Sequence, residues 1–267
     1  MKNKKIIISI LVLIFFLFIV WILLLNPIIF RYKNKINLEK SIAIFENKEE
    51  LPFYIDKIIF YSSAYGKNKN NNFTQKNWIL ELYQYTDIAI YLNTYLEDFS
   101  KINSLKKVSI SDINISNPNI GNTSIYYLDS QEFGTEKYLE SNKILDTLEF
   151  TVLNDSNSEN LIKTNTPVLF SDLSNPITLK YVNILDSNFK LPTDEIIFFN
   201  GSLLKRANIN LSDLKSTLSL KINLTNNDNE NFYYNLNLTI PLYNKNFDLY
   251  SEDILIRDTN LNYKFLK

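Results

Sequence analysis

TLSLKINLTNNDNENFYYNLNLTIP, residues 217–241, is the stretch that decides the fold class. Leu218, Leu220, Ile222 and Leu224 alternate with Thr217, Ser219, Lys221, Asn223 and Thr225. After a polar break the alternation returns as Phe232, Tyr234, Leu236, Leu238 and Ile240 against Tyr233, Asn235, Asn237 and Thr239, until Pro241 stops it. A period of two sends successive side chains to opposite faces of a strand, so the stretch predicts two long amphipathic strands joined by a turn. Burying its nine inward apolar side chains gains roughly 15–25 kcal/mol gross, an upper bound against the extended chain. Such a face requires a second sheet opposite it, which makes the expected class an antiparallel β-sandwich.

The same period runs outward in both directions. Asp56–Tyr61, the Trp78–Leu82 and Ile88–Leu92 runs, Val108–Ile115, Ile125–Leu128, Leu148–Val152 and Ile177–Tyr181 all read as strands. The pattern around Trp78–Leu92 fits two strands, or one broken near Thr86-Asp87. Apolar positions change phase at Ser111-Asp112, which calls for a bulge or turn. Ile196–Phe199 runs into Asn200-Gly201, a dipeptide suited to a tight primed hairpin turn. Turn-rich clusters lie at Lys67–Asn72 and Asn117–Asn122. The total of about ten to twelve strands fits one large sandwich or two immunoglobulin-like modules. The very polar 154–160, NDSNSEN, marks the expected division into 52–155 and 161–267, with one continuous domain as the alternative.

At the other end, Ile6–Leu25 is apolar except for Ser9. About twenty such residues at ~1.5 Å rise span ~30 Å, the thickness of a bilayer's hydrocarbon. The run follows Lys2, Lys4 and Lys5 and exits through Leu24-Leu25-Asn26-Pro27 with no small-residue cleavage site, so residues 1–30 read as an uncleaved signal-anchor held in membrane lipid. Residues 31–51 read as a juxtamembrane stalk. Arg31, Lys33 and Lys35 nearly balance the lysines on the other flank. The extracytoplasmic placement of the C-terminal domain therefore rests on the short N-terminus and the β-rich character of the chain beyond the stalk.

Composition narrows the chemistry. The 28 basic and 29 acidic residues give a net charge of −1, which provides no basic field for nucleic acid. The absence of His and Cys removes thiol nucleophiles, Ser-His-Asp triads and zinc sites built on N or S ligands. No metal or cofactor is expected. With 45% hydrophobic and 14% aromatic residues, the chain has the means to build a packed core despite its many asparagines.

Few motifs carry chemistry. Ser202-Leu203-Leu204-Lys205 satisfies S-x-x-K, but no S-D-N or K-T-G partner accompanies it. Asn226–Glu230 gathers oxygen ligands of the kind calcium takes, without EF-hand spacing, and a hairpin turn accounts for it. Asp194-Glu195 and Glu252-Asp253 are adjacent pairs, which point to opposite faces of a strand. Among the aromatics, Tyr83, Tyr91 and Tyr233 fall on predicted outward faces and are the candidate partner-binding residues; Trp78, Tyr181 and Tyr234 fall inward. The resulting expectation is a single-pass envelope protein that binds a partner protein or wall polymer, or has a structural role. The alternatives are a hydrolase or transferase using carboxylate or Ser-Lys chemistry, and a pilin-like subunit. The pilin reading is weakened because no processing Gly precedes the apolar run and no Glu lies within it.

Overall fold

The computed structural model describes residues 52–69, 77–94, 105–153, 166–192, 198–258 and 263–267. The apolar run Ile6–Leu25, the stalk 31–51 and the polar stretch 154–160 lie outside the described residues. Among the described residues, no helix is long and apolar enough to cross a membrane.

The described residues are mostly β-strand with almost no helix, an all-β arrangement. Eleven strands are described, in two sheets: β1 (Phe53–Asn68), β2 (Asn77–Thr94), β3 (Leu105–Ile115), β4 (Asn122–Tyr127), β5 (Leu148–Leu153), β6 (Val168–Phe170), β7 (Ile177–Pro192), β8 (Thr217–Asn226), β9 (Asn231–Thr239), β10 (Ile254–Asp258) and β11 (Tyr263–Lys264). The larger sheet has the order β10-β1-β2-β7-β4, with β11 also on β1; the smaller has the order β6-β5-β3-β8-β9. Pairing is antiparallel except for β6, which lies parallel to β5. Each sheet draws strands from both sides of residues 154–160, and Leu51–Lys267 forms one compact unit.

The hairpin read from the sequence is β8–β9. Leu218 faces Leu238, Leu220 faces Leu236, Ile222 faces Tyr234 and Leu224 faces Phe232. Asn226 closes it: its side-chain oxygen accepts the Glu230 N–H at 2.8 Å and its amide donates to the Glu230 carboxylate at 3.0 Å. Asn229 supplies the left-handed turn residue at φ 63°. The apolar row packs against Ile58, Phe60, Ile88, Ile90, Ile177, Leu179 and Tyr181 of the larger sheet, making one core between the two sheets. The phase change at Ser111-Asp112 is a register break in β3, with Asp112 at φ 52°.

The strands of the larger sheet are longer than the smaller sheet can cover. β1, β2 and β7 have 16, 18 and 16 residues against 10 for β8. At ~3.3 Å per residue the former run about 50–60 Å and the latter about 33 Å. A second apolar cluster serves the excess length. Ala64 packs there with Leu204 of the short helix α1 (Ser202–Arg206), with Leu211 and Leu214, and with Leu242, Leu249 and Ile254.

Two local expectations are corrected. β2 runs unbroken past Thr86-Asp87, and its irregular register falls at Leu80–Tyr83 instead. Asn200-Gly201 is no hairpin turn; it opens α1, with Gly201 in right-handed helical geometry at φ −56°. The Asn200 side-chain oxygen accepts the Ser202 N–H at 3.0 Å, which starts the helix. Gly201 is required for space, because a Cβ there would lie 1.6 Å from the Leu249 carbonyl oxygen.

The C-terminal residues close one flank. β11 pairs with β1, and Phe265 is fully buried in the central core. Leu266 exchanges two 2.8 Å backbone hydrogen bonds with Tyr233 of β9, so this short segment bonds to strands of both sheets.

Candidate functional site

Period two predicts a solvated outer face for a sheet with one side on the core, but the larger sheet departs from this. Tyr61 and Tyr65 of β1, Tyr83 and Tyr85 of β2 and Tyr126 of β4 cluster with Val182, and Tyr138 joins them from the segment between β4 and β5. Their rings stand in mutual contact. Centroid separations are 5.8 Å for Tyr65–Tyr83, 6.2 Å for Tyr83–Tyr85, 5.9 Å for Tyr83–Tyr138 and 4.7 Å for Tyr126–Tyr138.

Beside the tyrosines lies an ion pair, Asp87 of β2 with Lys180 of β7, both 0% exposed. Strand register sets the two residues directly opposite each other. The other bonds of the pair go to the chain that crosses above. Gly134 donates its N–H to Asp87 at 2.7 Å, and the Lys180 ammonium donates to the Thr135 carbonyl at 2.7 Å while standing 4.2 Å over the Tyr85 ring. The Tyr83 hydroxyl donates to the Glu136 carbonyl at 3.1 Å. Residues 134–138 thus form a strap tied to the sheet by charge-assisted and neutral hydrogen bonds. Gly134 adopts φ +83° with open space around its missing side chain.

Electrostatics follow from burial. Desolvation pushes the Asp87 carboxyl up to about 6 against the opposing pull of Lys180. Desolvation also lowers the Lys180 ammonium, against the pull of Asp87. The Tyr83 and Tyr85 phenols are raised chiefly by burial, and Tyr138 is pushed up to about 12 for the same reason. Tyr61, raised by burial and by its 2.6 Å hydrogen bond to Asp253, shares that carboxylate with the Ser63 hydroxyl, also at 2.6 Å. All these phenols are protonated at neutral pH, and those of Tyr61 and Tyr83 donate hydrogen bonds to Asp253 and to the Glu136 carbonyl.

The three candidate tyrosines are not brought together. Tyr83 is 3% exposed, because the strap covers it; its outward-facing position on the strand is correct and its expected exposure is not. Tyr91 lies on β2 eight positions further along, half-buried under the Lys57 ammonium at 4.3 Å. Tyr233 belongs to the other sheet, where Lys221 stands 4.7 Å over its ring. Of the residues expected inward, Tyr181 is fully buried and Tyr234 packs against the core, while Trp78 stacks on Phe199 at 5.9 Å. The i, i+2 tyrosine pair Tyr83 and Tyr85 was a visible signal for the aromatic row. Asp87 and Lys180 carried none, since a charge at an outward strand position reads as solvated.

The remaining motifs have local explanations. The Ser202 hydroxyl donates to Asn200 at 2.7 Å and Lys205 is exposed. Glu230 is held by Asn226 and by Lys267 at 2.5 Å, and those bonds keep its carboxyl below the usual range. Asp253 is committed to Tyr61 and Ser63, separately from Glu252. Asp194 and Glu195 lie outside the described residues.

An aromatic ring more open to solvent lies at the ends of β8 and β9. Tyr243, 50% exposed, borders an open cleft of ≈ 590 Å³ lined also by Lys215, Ser116, Ser216, Thr217 and Thr239. Ile240, Pro241 and Leu242 complete the lining. The Ser216 hydroxyl donates to the Ser116 carbonyl at 2.6 Å and the Thr217 hydroxyl to the Ser116 hydroxyl at 3.0 Å, so the surface offered to a ligand is chiefly the Tyr243 ring, with its apolar face and polar edge, beside Lys215 and Thr239. Comparison with protein-family models, with curated proteins and with solved structures finds no match to the chain.

Proposed function

We propose that this is a membrane-anchored, extracytoplasmic β-sandwich protein that binds a wall polymer at the cell envelope through the Tyr243 cleft. In this reading residues 1–30 are the anchor in lipid, 31–51 the stalk, and the strands beyond Pro52 one continuous sandwich instead of two immunoglobulin-like modules. The interleaving of early and late strands in both sheets supports the single sandwich. The observation that carries the binding role is the half-exposed Tyr243 beside Lys215 and Thr239 in the same cleft. A stacking ring next to hydrogen-bonding groups is what a sugar polymer requires.

The test uses the full chain in detergent with purified cell-wall glycan fragments. Tyr243→Ala is expected to reduce retention at least tenfold while leaving thermal unfolding unchanged, since the ring is half-exposed. Equal retention of variant and wild type sinks the cleft assignment. Retention by neither sinks the polymer.

A further inference from the structure

The segment that carries Tyr243 is a small hairpin, residues 242–249. Tyr243 bridges to Asp248, the Leu249 N–H donates to the Leu242 carbonyl at 3.0 Å, and the Asn244 N–H donates to the Phe247 carbonyl at 2.9 Å. Alternation along the two short arms then sorts the side chains. Leu242 and Leu249 turn inward and pack with Leu204 and Leu214 in the second apolar cluster. Tyr243 and Asp248, paired directly across the hairpin, share its outward face. Each of the two leucines beneath is followed by an exposed lysine, Lys205 after Leu204 and Lys215 after Leu214.

Those lysines fall in two different clefts. Lys215 lines the Tyr243 cleft. Lys205 lines a second open cleft, of ≈ 550 Å³, together with Asn246, Phe247 and Asp248 of the hairpin. Because the hairpin borders both, the clefts are neighbours, and each unites one lysine with one ring open to solvent, Tyr243 in the first and the half-buried Phe247 in the second. Lys245, exposed in the hairpin turn, adds a third positive charge. Among the described residues none of these three ammonium groups makes an ion pair or a hydrogen bond. Asp248, the one carboxylate lining the clefts, is engaged by its own turn: it accepts the Tyr250 N–H at 3.1 Å, the Ser251 N–H at 3.2 Å and the Ser251 hydroxyl at 3.1 Å. Uncommitted positive charge is thus gathered here in a chain whose net charge is −1.

We infer that the two clefts are consecutive subsites for one anionic glycan chain, Lys215 and Lys205 each receiving a negative charge and Tyr243 and Phe247 each meeting a sugar ring. The second subsite and the charge of the polymer extend, and rest on, the assignment of the Tyr243 cleft to a wall polymer. Repetition selects the ligand. One cation beside one ring, presented twice across a hairpin, matches a polymer in which charge and ring recur along the chain. A neutral glycan leaves both lysines without partners, and a small anion fills only one cleft. An exposed ammonium–anion pair strengthens binding only about two- to fivefold, so retention comes from occupying both subsites with one chain. Carboxylate and phosphate diester groups meet an ammonium equally well, and either serves as the anion on the repeating unit.

The test measures binding of the full chain in detergent to polygalacturonate, to its methyl ester, which keeps the rings without the charge, and to poly(glycerol phosphate) carrying glucosyl groups. At least one anionic polymer is expected to bind about tenfold more tightly than the methyl ester. Lys205→Gln and Lys215→Gln should each weaken that binding about threefold and together about tenfold, with thermal unfolding unchanged because both side chains are exposed. Lys205→Arg should bind as wild type does. Whichever anionic probe is retained identifies carboxylate or phosphate as the carrier of the charge. Equal binding of all three probes overturns the anionic assignment and, if Tyr243→Ala still abolishes binding, leaves the Tyr243 cleft as a neutral-glycan site. Wild-type binding by Lys205→Gln alongside weakened binding by Lys215→Gln overturns the second subsite. Binding of none of the three overturns the inference, while retention on wall fragments decides the Tyr243 cleft separately.

Discussion

Removing one member of the Asp87–Lys180 pair should be far worse than removing both. With Lys180→Met, the Asp87 carboxyl keeps only the 2.7 Å bond from the Gly134 N–H, in a site with 0% exposure. An uncompensated buried charge of this kind costs about 3–5 kcal/mol, capped by the carboxylate's option of taking up a proton. Asp87→Leu strands the ammonium against the Thr135 carbonyl and the Tyr85 ring, with a loss of the same order. The double variant buries no charge. It still orphans the Gly134 N–H and the Thr135 carbonyl at about 1–3 kcal/mol, partly recovered by apolar packing. The coupling between the two sites is then at least about 2 kcal/mol, well above the ~0.5 kcal/mol within which independent sites add. The unit Leu51–Lys267 belongs to the size class in which 1 kcal/mol moves Tm by about 2–4 °C, so each single variant should melt roughly 6–20 °C below wild type. Urea unfolding of the four proteins at pH 7, followed by tyrosine fluorescence, closes the cycle. Additivity of the two single losses, or a loss below ~1 kcal/mol for Lys180→Met, would refute the view that the pair is a closed, water-excluded clamp.

Three further outcomes are expected. The Asp87 carboxyl, raised in the folded state from 3.8 to about 6, binds more protons folded than unfolded between those values. Its contribution is therefore complete below pH 4 and lost as pH rises through about 6, a swing of roughly 3 kcal/mol. The stability of wild type minus that of Asp87→Asn should fall from pH 4 to pH 7, and a rising difference would contradict the burial argument. Gly201→Ala, whose Cβ would lie 1.6 Å from the Leu249 oxygen, should cost about 3 kcal/mol or more. Gly134→Ala, with open space but φ +83°, should cost only about 1–2 kcal/mol, and chemical denaturation of the two variants reads the order. Phe265→Ala, at a fully buried position, should lose about 3–5 kcal/mol by denaturant titration; a loss under 1 kcal/mol would mean that the C-terminal segment is not part of the core.

The β8–β9 hairpin could be read from residues 217–241 alone, because period two combined with one apolar face leaves a single register for a strand. The break at Ser111-Asp112 could be read for the same reason: a change of phase cannot be hidden along a strand with a buried face. The outward face of Tyr83 was legible, and Tyr85 two positions on extends the same row. What covers that row was not legible, since the strap at 134–138 reaches it from a segment with no periodicity of its own. Tertiary structure alone made Asp87 and Lys180 partners, 93 residues apart along the chain, by setting β2 beside β7. It also turned Asn200-Gly201 from a hairpin signal into a helix start, because the decisive contact is the backbone of Leu249, far away in sequence. Local pattern fixes which face a side chain takes; only the packing of distant segments decides whether that face meets water, a partner charge or another backbone.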